Sequence, residues 1–382
     1  MKTFEIVKSD EKTKSRLGVL RTPRGEIRTP VFMPVGTQGT VKTLSVEDLE
    51  ALGAEIILNN AYHMYLRPGA DRLAEFGGLH NFISWKKPIL TDSGGYQIFS
   101  LAASRKITED GVKFRSHIDG SEVALTPESM TAFQFAAGSD IAMCLDECLE
   151  YPAPVKKARE SKNLTTRWAR RCRDAFGEAL AAEGVEYRPG EGLRKMLFGI
   201  VQGGMYADLR RESASEMTDI GFDGYAVGGL SVGEPRDVMM PALDAALENL
   251  PSSSPRYFMG LGSPEDIWEA VERGVDMFDC VLPTRNARNA QALTFSGRIN
   301  ITNERFRSDS GPLEDGCLCP ACRRYSRAFI GHLFRSGEFL AGRLLSLHNI
   351  FFMIKLMAVI REAVSNGNYV DEKKKFLEKY LA

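Results

Sequence analysis

An aspartate lies inside an apolar segment that ends in two arginines. In MFDCVLPTRNARN, residues 277–289, Asp279 interrupts a strand-like run, and Arg285 and Arg288 follow a proline. A second acid, Asp92, ends another apolar run. Two carboxylates, one acting as nucleophile and one as general acid or base, are the minimum for substitution at an anomeric carbon. Asp279 and Asp92 suit these roles, although a single acid at a strand end would more simply be a loop cap.

Residues suited to recognition of a purine base, Asp146 and Gln202, end two further apolar runs. A carboxylate accepts hydrogen bonds from N1–H and the 2-amino group of guanine, and an amide or backbone N–H donates to O6. Three glycine pairs stand at comparable positions, namely Gly94-Gly95, Gly203-Gly204 and Gly228-Gly229. Such pairs leave backbone N–H groups open to a ligand. The alternative interpretation is a set of tight turns.

Three cysteines and a histidine near the C-terminus have the spacing of metal ligands. Cys317, Cys319 and Cys322 stand together in CLCPACRR, and His348 follows 26 residues after Cys322. Three thiolates and one imidazole fit a closed tetrahedral site, so we expect one structural Zn²⁺ per subunit. A redox thiol group and chance clustering are the alternatives. Among the other cysteines, Cys148 could line the pocket formed by the strand-end residues.

Arginines concentrate around this cysteine cluster, although the whole chain has a net charge of −1. From Thr284 to Arg307 there are five arginines and one glutamate, and from Arg323 to Arg343 the same numbers recur. Near-neutrality excludes a general polycation, so any nucleic-acid surface must be a local patch. The two stretches predict such a phosphate-binding patch. For the second stretch, a solvated helix face is the alternative.

The elements that must position these residues are short apolar runs separated by helical patterns. The eight runs cover residues 31–37, 55–62, 88–95, 140–148, 197–204, 224–230, 257–262 and 277–283. Continuous apolar strands indicate burial on both faces. Eight of them alternating with helices predict an α/β fold, a (β/α)8 TIM barrel, whose C-terminal strand ends share one face. A doubly wound open sheet is the alternative, but no dinucleotide-binding fingerprint supports it.

The whole chain, residues 1–382, is predicted to form one barrel domain, with a zinc-binding subdomain inserted at 296–348 where the strand–helix rhythm breaks. Polar loops at 102–125 and 177–195 are expected to be excursions from the barrel. The polar N-terminus gives no sign of a secretory signal, and no apolar run of about 18 residues suggests a membrane span. Seven cysteines, an odd number, favour a protein of the reducing cytoplasm.

Together these motifs resemble one family closely, the bacterial-type tRNA-guanine transglycosylases, or queuine tRNA-ribosyltransferases. The similar stretches span roughly residues 16–350 and are TPVFMPVGTQGTVK, TDSGGYQIFSL, SDIAMCLDEC, FGIVQGG, GFDGYAVGGLSVGE, MFDCVLPTRNARN, and CLCPACRRYSRAFI followed by HN. The resemblance implies a zinc-containing TIM barrel that acts as a homodimer. It also implies exchange of guanine at the wobble position of tRNAs with a G-U-N anticodon for 7-aminomethyl-7-deazaguanine, through a covalent enzyme–RNA intermediate.

Residue roles follow from the same resemblance. Asp279 is similar to the nucleophile that attacks ribose C1′, and Asp92 is similar to the general acid/base that handles the N9 proton. The implied base-binding set is Ser93, Gly94, Gly95, Tyr96, Asp146, Cys148, Gln202, Gly229, Leu230 and Met259, with Tyr96 and Met259 on the two faces of the base. The implied tRNA-contacting set is Gly260, Leu261, Gly262, Ser263, Pro264, Glu265, Asp266, Thr284, Arg285, Asn286, Ala287 and Arg288. Cys148 and Val232 match the bacterial pattern, which favours the aminomethyl base over queuine.

Two departures from the family pattern concern loops rather than catalytic positions: Ala290 stands where glycine is frequent, and ECLEYP replaces the commoner ECTPYP. Two other classes of protein are alternatives. A metal-dependent TIM-barrel hydrolase or deaminase would need histidines at strand ends, yet none of the five histidines occupies a catalytic carboxylate position. A non-catalytic RNA-binding relative would be expected to lack a catalytic acid, whereas Asp92 and Asp279 are both present.

Overall fold

A computed structural model gives the fold and describes residues 1–101 and 105–382. In chain order, the strands are β1 Phe4–Ser9, β2 Arg16–Thr22, β3 Gly25–Thr29, β4 Val31–Gly36, β5 Ile57–Asn59, β6 Ile89–Thr91, β7 Arg105–Ile107, β8 Val112–Arg115, β9 Glu122–Leu125, β10 Ile141–Met143, β11 Met196–Val201, β12 Gly224–Val227, β13 Arg256–Phe258, β14 Met277–Cys280, β15 Gln291–Thr294 and β16 Gly297–Asn300. The helices are α1 Val46–Ala51, α2 Ala61–Leu66, α3 Ala70–Glu75, α4 Leu79–Ile83, α5 Gly95–Leu101, α6 Pro127–Ala136, α7 Val155–Ala182, α8 Ala207–Ile220, α9 Arg236–Glu248, α10 Pro264–Glu272, α11 Leu282–Arg288, α12 Arg327–Arg335, α13 Phe339–Asn366 and α14 Tyr369–Tyr380, with a 3-10 turn at Glu304–Phe306.

Eight of these strands form a closed parallel barrel. Around the barrel the order is β10, β11, β12, β13, β14, β4, β5 and β6, so the last barrel strand pairs with the first. Each of the eight predicted apolar runs contributes one strand, which confirms the (β/α)8 prediction over the open doubly wound sheet. Every residue of β4 and β11 is buried, because such strands face the barrel interior on one side and the helical layer on the other.

Local capping fixes where two of the surrounding helices begin. Ser45 and Thr126 are the N-caps of α1 and α6, and each forms a capping box with the residue three positions later, Asp48 or Ser129. These reciprocal bonds satisfy N–H groups that a helix start leaves unpaired. The loops before α1 and α6 therefore end at defined residues.

Three buried aspartates precede barrel strands at the N-terminal end of the barrel: Asp140 before β10, Asp223 before β12 and Asp276 before β14. Each accepts a main-chain N–H from the neighbouring strand, from Ile89, Leu197 and Arg256 respectively. Each also contacts a buried basic side chain, His80 at 3.0 Å, Arg194 at 3.0 Å and Arg16 at 2.6 Å respectively. Since buried carboxylates need such partners, these acids stabilise the pairing of adjacent strands.

Additional elements extend from the barrel. Strands β7, β8 and β9 form an antiparallel sheet within the predicted excursion 102–125, of which residues 102–104 lie outside the described residues. In the predicted loop 177–195, α7 continues to Ala182, and a bridge then joins Glu191 to Lys2. A further three-stranded sheet, β1–β2–β3, precedes the barrel.

The C-terminal region packs on the barrel through α13. The predicted subdomain 296–348 begins in the β15–β16 hairpin and ends inside α13, which contacts α11, α12, β15 and β4. By length and composition alone α13 could cross a membrane, yet 67% of its most apolar 18-residue window is buried within the fold. The sequence pattern predicted no such segment, because Ser346, His348 and Asn349 interrupt its apolar residues. Burial of this kind is typical of a core helix.

Candidate active site and metal centre

The C-terminal ends of the barrel strands hold the predicted site residues on one rim. Asp92 follows β6, Asp146 follows β10 and Gln202 follows β11, while Asp279 is the third residue of β14. Hydrogen bonds and charges connect these residues into two groups. We call Asp92 and Asp279 the acid pair, and Ser93, Asp146 and Gln202 the polar cluster.

Asp279 is held by two donors that use the same carboxylate oxygen. The Tyr257 hydroxyl donates to Oδ1 at 2.5 Å, and the Gly260 N–H donates to Oδ1 at 2.7 Å. Tyr257 belongs to β13, the strand beside β14. Burial raises the pKa of Asp279, whereas these two hydrogen bonds lower it. One oxygen is thus fixed, and within the described part of the chain no donor binds the other, Oδ2.

Asp92 is only 7% exposed, and each of its oxygens accepts one hydrogen bond. Asn60 Nδ2 donates to Oδ2 at 2.5 Å, and the Ala61 N–H donates to Oδ1 at 2.8 Å. Burial raises the pKa of Asp92 to about 7; the two hydrogen bonds oppose this rise, and the charge of Asp279 adds to it. A carboxyl that titrates near neutrality can both give and take a proton.

Asp146 is the centre of the polar cluster. Ser93 Oγ donates to its Oδ1 at 2.5 Å, and Gln202 Nε2 donates to its Oδ2 at 2.7 Å. Ser93 in turn accepts the Gly95 N–H at 3.1 Å. Burial raises the pKa of Asp146, while Ser93 and Gln202 lower it. The cluster sets a carboxylate and an amide side by side, which is the pair of groups that the edge of guanine requires.

Two glycines let the backbone approach the polar cluster closely. A Cβ on Gly95 would lie 2.4 Å from Oδ1 of Asp146, and a Cβ on Gly229 would lie 2.4 Å from Oε1 of Gln202. Gly229 also has a φ of +65°, which favours glycine. A side chain at either position would displace the carboxylate or the amide. These glycines therefore shape the cluster and do more than form tight turns.

The remaining residues of the predicted base-binding set differ in exposure. Tyr96 is 52% exposed at the start of α5, Met259 is half-buried, and Cys148 and Leu230 are buried. Burial raises the pKa of the Cys148 thiol to about 12, so this thiol is neutral. Tyr96 and Met259 each retain exposed surface for a planar base, and their places on its two faces stay a prediction.

The predicted RNA-contacting segment 260–266 is largely engaged with the protein itself. Three of its members are buried, namely Leu261, Gly262 and Pro264. Its two acids form ion pairs, Glu265 with Arg298 at 2.9 Å and Asp266 with Arg236 at 2.8 Å. The Ser263 hydroxyl donates to Asp266. Gly260 is the exposed residue of this segment, the acidic side chains are occupied by these ion pairs, and contact of the segment with RNA stays a prediction.

The second predicted RNA-contacting segment, 284–288, lies in α11 directly after β14. Thr284 and Ala287 are buried, whereas Arg285 and Arg288 are exposed. Asn286 Nδ2 donates to Gln291 at 2.5 Å, and Arg288 Nε donates to the Thr284 carbonyl at 3.2 Å. The ion pairs formed by the neighbouring segments use Arg273 and Arg298 rather than these two arginines. Two exposed guanidinium groups thus follow Asp279 on one short helix.

Ala290 follows α11 in a conformation that glycine adopts more easily. Its φ is +61°, and only 7% of its surface is exposed. The left-handed region costs an alanine about 1 kcal/mol. The alanine therefore keeps the turn for which the resembling family frequently uses glycine, at the expense of local strain.

Cys317, Cys319, Cys322 and His348 come together as predicted, with their candidate ligand atoms all within 4.8 Å of one another. His348 Nδ1 lies 3.7, 3.6 and 3.3 Å from the three Sγ atoms in chain order. Its Nε2 lies 2.8 Å from the Leu293 carbonyl, which assigns the proton to Nε2 and leaves the Nδ1 lone pair for a metal. Four such ligands fit a closed tetrahedral metal site.

Three residues that the sequence analysis did not single out support these sites. Asn60 and Tyr257 bind the acid pair. Asn349 accepts the Leu293 N–H at 2.9 Å and donates to the Pro283 carbonyl at 2.9 Å, which joins the hairpin beside the metal site to the first turn of α11. In the sequence these residues are distinguished only by position: Asn60 and Tyr257 lie near the ends of apolar runs, and Asn349 directly follows His348.

Comparison with known proteins gives one consistent set of relatives. Residues 10–382 match the family described as Queuine tRNA-ribosyltransferase. The Queuine tRNA-ribosyltransferase of Caldanaerobacter subterraneus subsp. tengcongensis is 51% identical over 377 residues, 99% of this chain and 97% of the relative. The protein of the same name from Pelotomaculum thermopropionicum is 52% identical over 378 residues, covering 99% and 98% of the two chains. That from Novosphingobium aromaticivorans is 51% identical over 380 residues, covering 100% and 99%.

Proposed function

The chain belongs to the queuine tRNA-ribosyltransferase family, and from this premise we propose that it is a tRNA-guanine transglycosylase of queuosine synthesis. The target is the guanine at the wobble position of tRNAs with a G-U-N anticodon, and the incoming base is 7-aminomethyl-7-deazaguanine. The acid pair carries the proposal, because Asp279 has one fixed and one open oxygen beside an Asp92 whose pKa is about 7.

In the first half-reaction, Oδ2 of Asp279 attacks C1′ of the target ribose. The C1′–N9 bond breaks, its electron pair leaves with guanine, and a C1′–Oδ2 bond attaches the RNA to the enzyme. Tyr257 and Gly260 hold Oδ1 and so orient the carboxylate. The same negative charge stabilises the oxocarbenium character that develops at C1′.

Asp92 moves the proton in both half-reactions. It gives a proton to the departing guanine and then takes the N9 proton of the incoming base. The deprotonated N9 attacks C1′, and the C1′–Oδ2 bond breaks to restore the Asp279 carboxylate. Two successive displacements retain the configuration at C1′. The energy of the glycosidic bond is conserved in the ester, so the exchange needs neither ATP nor a redox cofactor.

The polar cluster selects the base. Asp146 accepts from N1–H and the 2-amino group, while the Gln202 amide and the N–H of Gly229 donate to O6. Tyr96 and Met259 bracket the ring on its two faces. The target nucleotide must leave its stack to reach this depth, so binding requires base flipping.

The arginines of α11 and the closed metal site serve the RNA side of the reaction. Arg285 and Arg288 bind anticodon phosphates, which positions the tRNA without reading its sequence. The Cys317–Cys319–Cys322–His348 site holds a structural Zn²⁺, since the four ligands leave no position for a reacting water. A bound metal would fix the β15–β16 hairpin, which Asn349 links to the first turn of α11.

The enzyme is proposed to act as a homodimer through the face beside this metal site. Four large apolar side chains of the region are exposed, namely Leu318 at 71%, Phe329 at 39%, Phe339 at 96% and Leu340 at 40%. Several such residues in one region are typical of an association surface. Equilibrium sedimentation of wild type and of Phe339→Asp measures this directly, and a monomeric wild type would contradict it.

Incorporation of radiolabelled guanine tests the activity. Label should enter a G-U-N tRNA and not the same tRNA with its wobble base replaced. Asp279→Asn should reduce the rate by more than about 10³-fold while leaving tRNA affinity within a few-fold, and the exposed Asp237→Asn serves as the matched control. Label in the mutated tRNA would contradict the wobble assignment, and a fully active Asp279→Asn would contradict the nucleophile assignment.

The two alternative classes predict different results. A metal-dependent hydrolase would release product only when a metal occupies the strand-end acids, whereas the cluster of potential metal ligands found among the described residues is the Cys3His site. A non-catalytic RNA-binding relative would bind the tRNA without incorporating label.

A further inference from the structure

Arg210 of α8 is fully buried, and among residues 1–101 and 105–382 its guanidinium donates to main-chain carbonyls alone. Its Nη1 donates to Gly228 at 2.7 Å and to Val201 at 2.9 Å. Its Nε donates to Gly204 at 2.8 Å, and its Nη2 donates to Gly229 at 3.3 Å. The guanidinium thus joins the loop after β11 to the loop after β12, the two loops that carry Gln202 and Gly229.

This arginine has an unusual environment for a buried charge. A buried guanidinium is ordinarily paired with a carboxylate, but in the described ranges of the chain no carboxylate forms an ion pair with Arg210. The charge of Glu234 acts on it, but the Glu234 carboxylate is bound by the N–H groups of Ser231 and Val232. Burial lowers the pKa of Arg210 to about 10, which leaves it charged at neutral pH. Burying a charged guanidinium without a paired carboxylate is energetically unfavourable, which points to a role of this arginine in the site.

The hydrogen bonds from Arg210 to the Gly228 and Gly229 carbonyls also fix the direction of the N–H groups that follow them. The Gly228 carbonyl belongs to the same planar peptide unit as the Gly229 N–H, and the Gly229 carbonyl to the same unit as the Leu230 N–H. In a trans peptide the two groups point in opposite directions, so a donor that holds each carbonyl directs the following N–H away from itself. Within the described residues, neither N–H has a protein acceptor.

We propose that Arg210 is a positioning residue for base recognition, which orients the N–H groups of Gly229 and Leu230 toward O6 of the purine. The inference rests on the proposed function. Gly229 lies against Gln202, since a Cβ there would be 2.4 Å from Oε1, so the same clamp also fixes the amide of the polar cluster. Asp146 is held separately by Ser93. Arg210 therefore governs the O6 side of the base and leaves the 2-amino side to Asp146.

Lysine cannot replace this arginine. Four carbonyls are bound by a planar fork of three nitrogens, whereas an ammonium group offers a single nitrogen at one point. Arg210→Lys keeps the positive charge and loses the fork, so it separates charge from geometry. The adjacent Arg211 is exposed and pairs with Glu248 at 2.6 Å, which makes Arg211→Lys the matched control on the same helix.

The test compares the constants of three purine bases in wild type, Arg210→Lys and Arg211→Lys. These are the KM of guanine, the inhibition constant of hypoxanthine, which keeps O6 and lacks the 2-amino group, and that of 2-aminopurine, which lacks O6 and keeps the amino group. In Arg210→Lys, the constants for guanine and hypoxanthine should rise about tenfold, whereas that for 2-aminopurine should stay within about twofold. Arg211→Lys should match wild type throughout.

Equal weakening of all three bases, or no weakening, would overturn the proposal. If thermal unfolding shows that Arg210→Lys does not fold, Arg210→Gln, which removes the buried charge and keeps one donor, is measured in the same way. A wild-type protein without guanine exchange would instead overturn the proposed function itself, so the two failures are distinguishable.

Discussion

The Tyr257 hydroxyl and Oδ1 of Asp279 lie 2.5 Å apart across two adjacent barrel strands. Burial and the charge of Asp279 raise the pKa of Tyr257 well above its usual range, so the phenol is a neutral donor at neutral pH. Hydrogen bonds to an ionised acceptor are short and strong. A strand neighbour thus stabilises the ionised form of Asp279 and sets the direction of its second oxygen.

Tyr257→Phe should make Asp279 harder to ionise. The hydrogen bond lowers the pKa of Asp279 against the effect of burial, so its removal raises that pKa and moves the acid limb of the pH–rate profile to higher pH. The exchange rate at the optimum should fall about tenfold, as expected for loss of a hydrogen bond to a charged group.

Tyr225→Phe is the matched control, because Tyr225 is a buried barrel tyrosine whose hydroxyl contacts the Phe222 N–H instead of an acid. Kinetics from pH 4.5 to 8 would measure both variants. An acid limb that stays in place in Tyr257→Phe would show that this bond does not control Asp279.

Asp92→Asn should stabilise the protein at alkaline pH while it abolishes exchange. Asp92 has a pKa of about 7 in the folded protein, against an ordinary 3.8, so between these values the folded state binds more protons than the unfolded state. Stability therefore falls as the pH rises through this window. The asparagine removes this loss, and at pH 8 the free energy of unfolding should increase by about 1–3 kcal/mol.

Urea denaturation at pH 5 and pH 8 measures the effect. The advantage of Asp92→Asn over wild type should be small at pH 5 and larger at pH 8, while the exposed Asp237→Asn should show no such pH dependence. The same difference at both pH values would contradict the raised pKa of Asp92.

The sequence predicted the barrel and the site rim for one physical reason. Parallel strands buried on both faces read as continuous apolar runs, and closure of the barrel brings the residue after each run to one end. Asp92, Asp146 and Gln202 could therefore be placed together without any knowledge of their contacts. The metal ligands were equally accessible, because three of them lie close together in sequence.

Contacts between distant segments could not be predicted in this way. Tyr257 contacts Asp279 because β13 and β14 are neighbours in register. Arg210, in the first turn of α8, binds carbonyls at the ends of both β11 and β12. In the segment 260–266, the ion pairs of Glu265 with Arg298 and of Asp266 with Arg236 likewise join separate elements, while its contact with RNA stays a prediction. Side-chain partners of this type depend on the packed structure rather than on local pattern.

Cys319→Ser should remove the metal and loosen the C-terminal region. Cys319 is the fully buried thiol of the four-ligand site and also accepts the Cys322 N–H at 3.3 Å. Loss of one thiolate from a closed site removes most of its affinity and the folding free energy coupled to it. Elemental analysis should find about one equivalent of metal per chain in wild type and much less in the variant, together with a lower melting temperature.

Cys172→Ser is the control for a buried thiol outside the site. Cys172 contacts the Leu145 N–H and the Pro127 carbonyl between α6 and α7, so its replacement should leave the metal content unchanged. Full metal content in Cys319→Ser would contradict the ligand assignment.

Arg285→Ala should weaken tRNA binding through loss of one phosphate contact. Arg285 is exposed on α11, six residues after Asp279, and its guanidinium is available to an incoming RNA. A phosphate contact contributes to the salt dependence of binding, so the slope of log Kd against log salt concentration should decrease by about 0.7–0.9, while the KM of guanine stays unchanged. The exposed Arg188 lies in the loop before β11, at the opposite end of the barrel, and Arg188→Ala should alter neither quantity. A salt slope that is the same in wild type and Arg285→Ala would remove α11 from the RNA-binding surface, since an arginine that binds phosphate must release counterions.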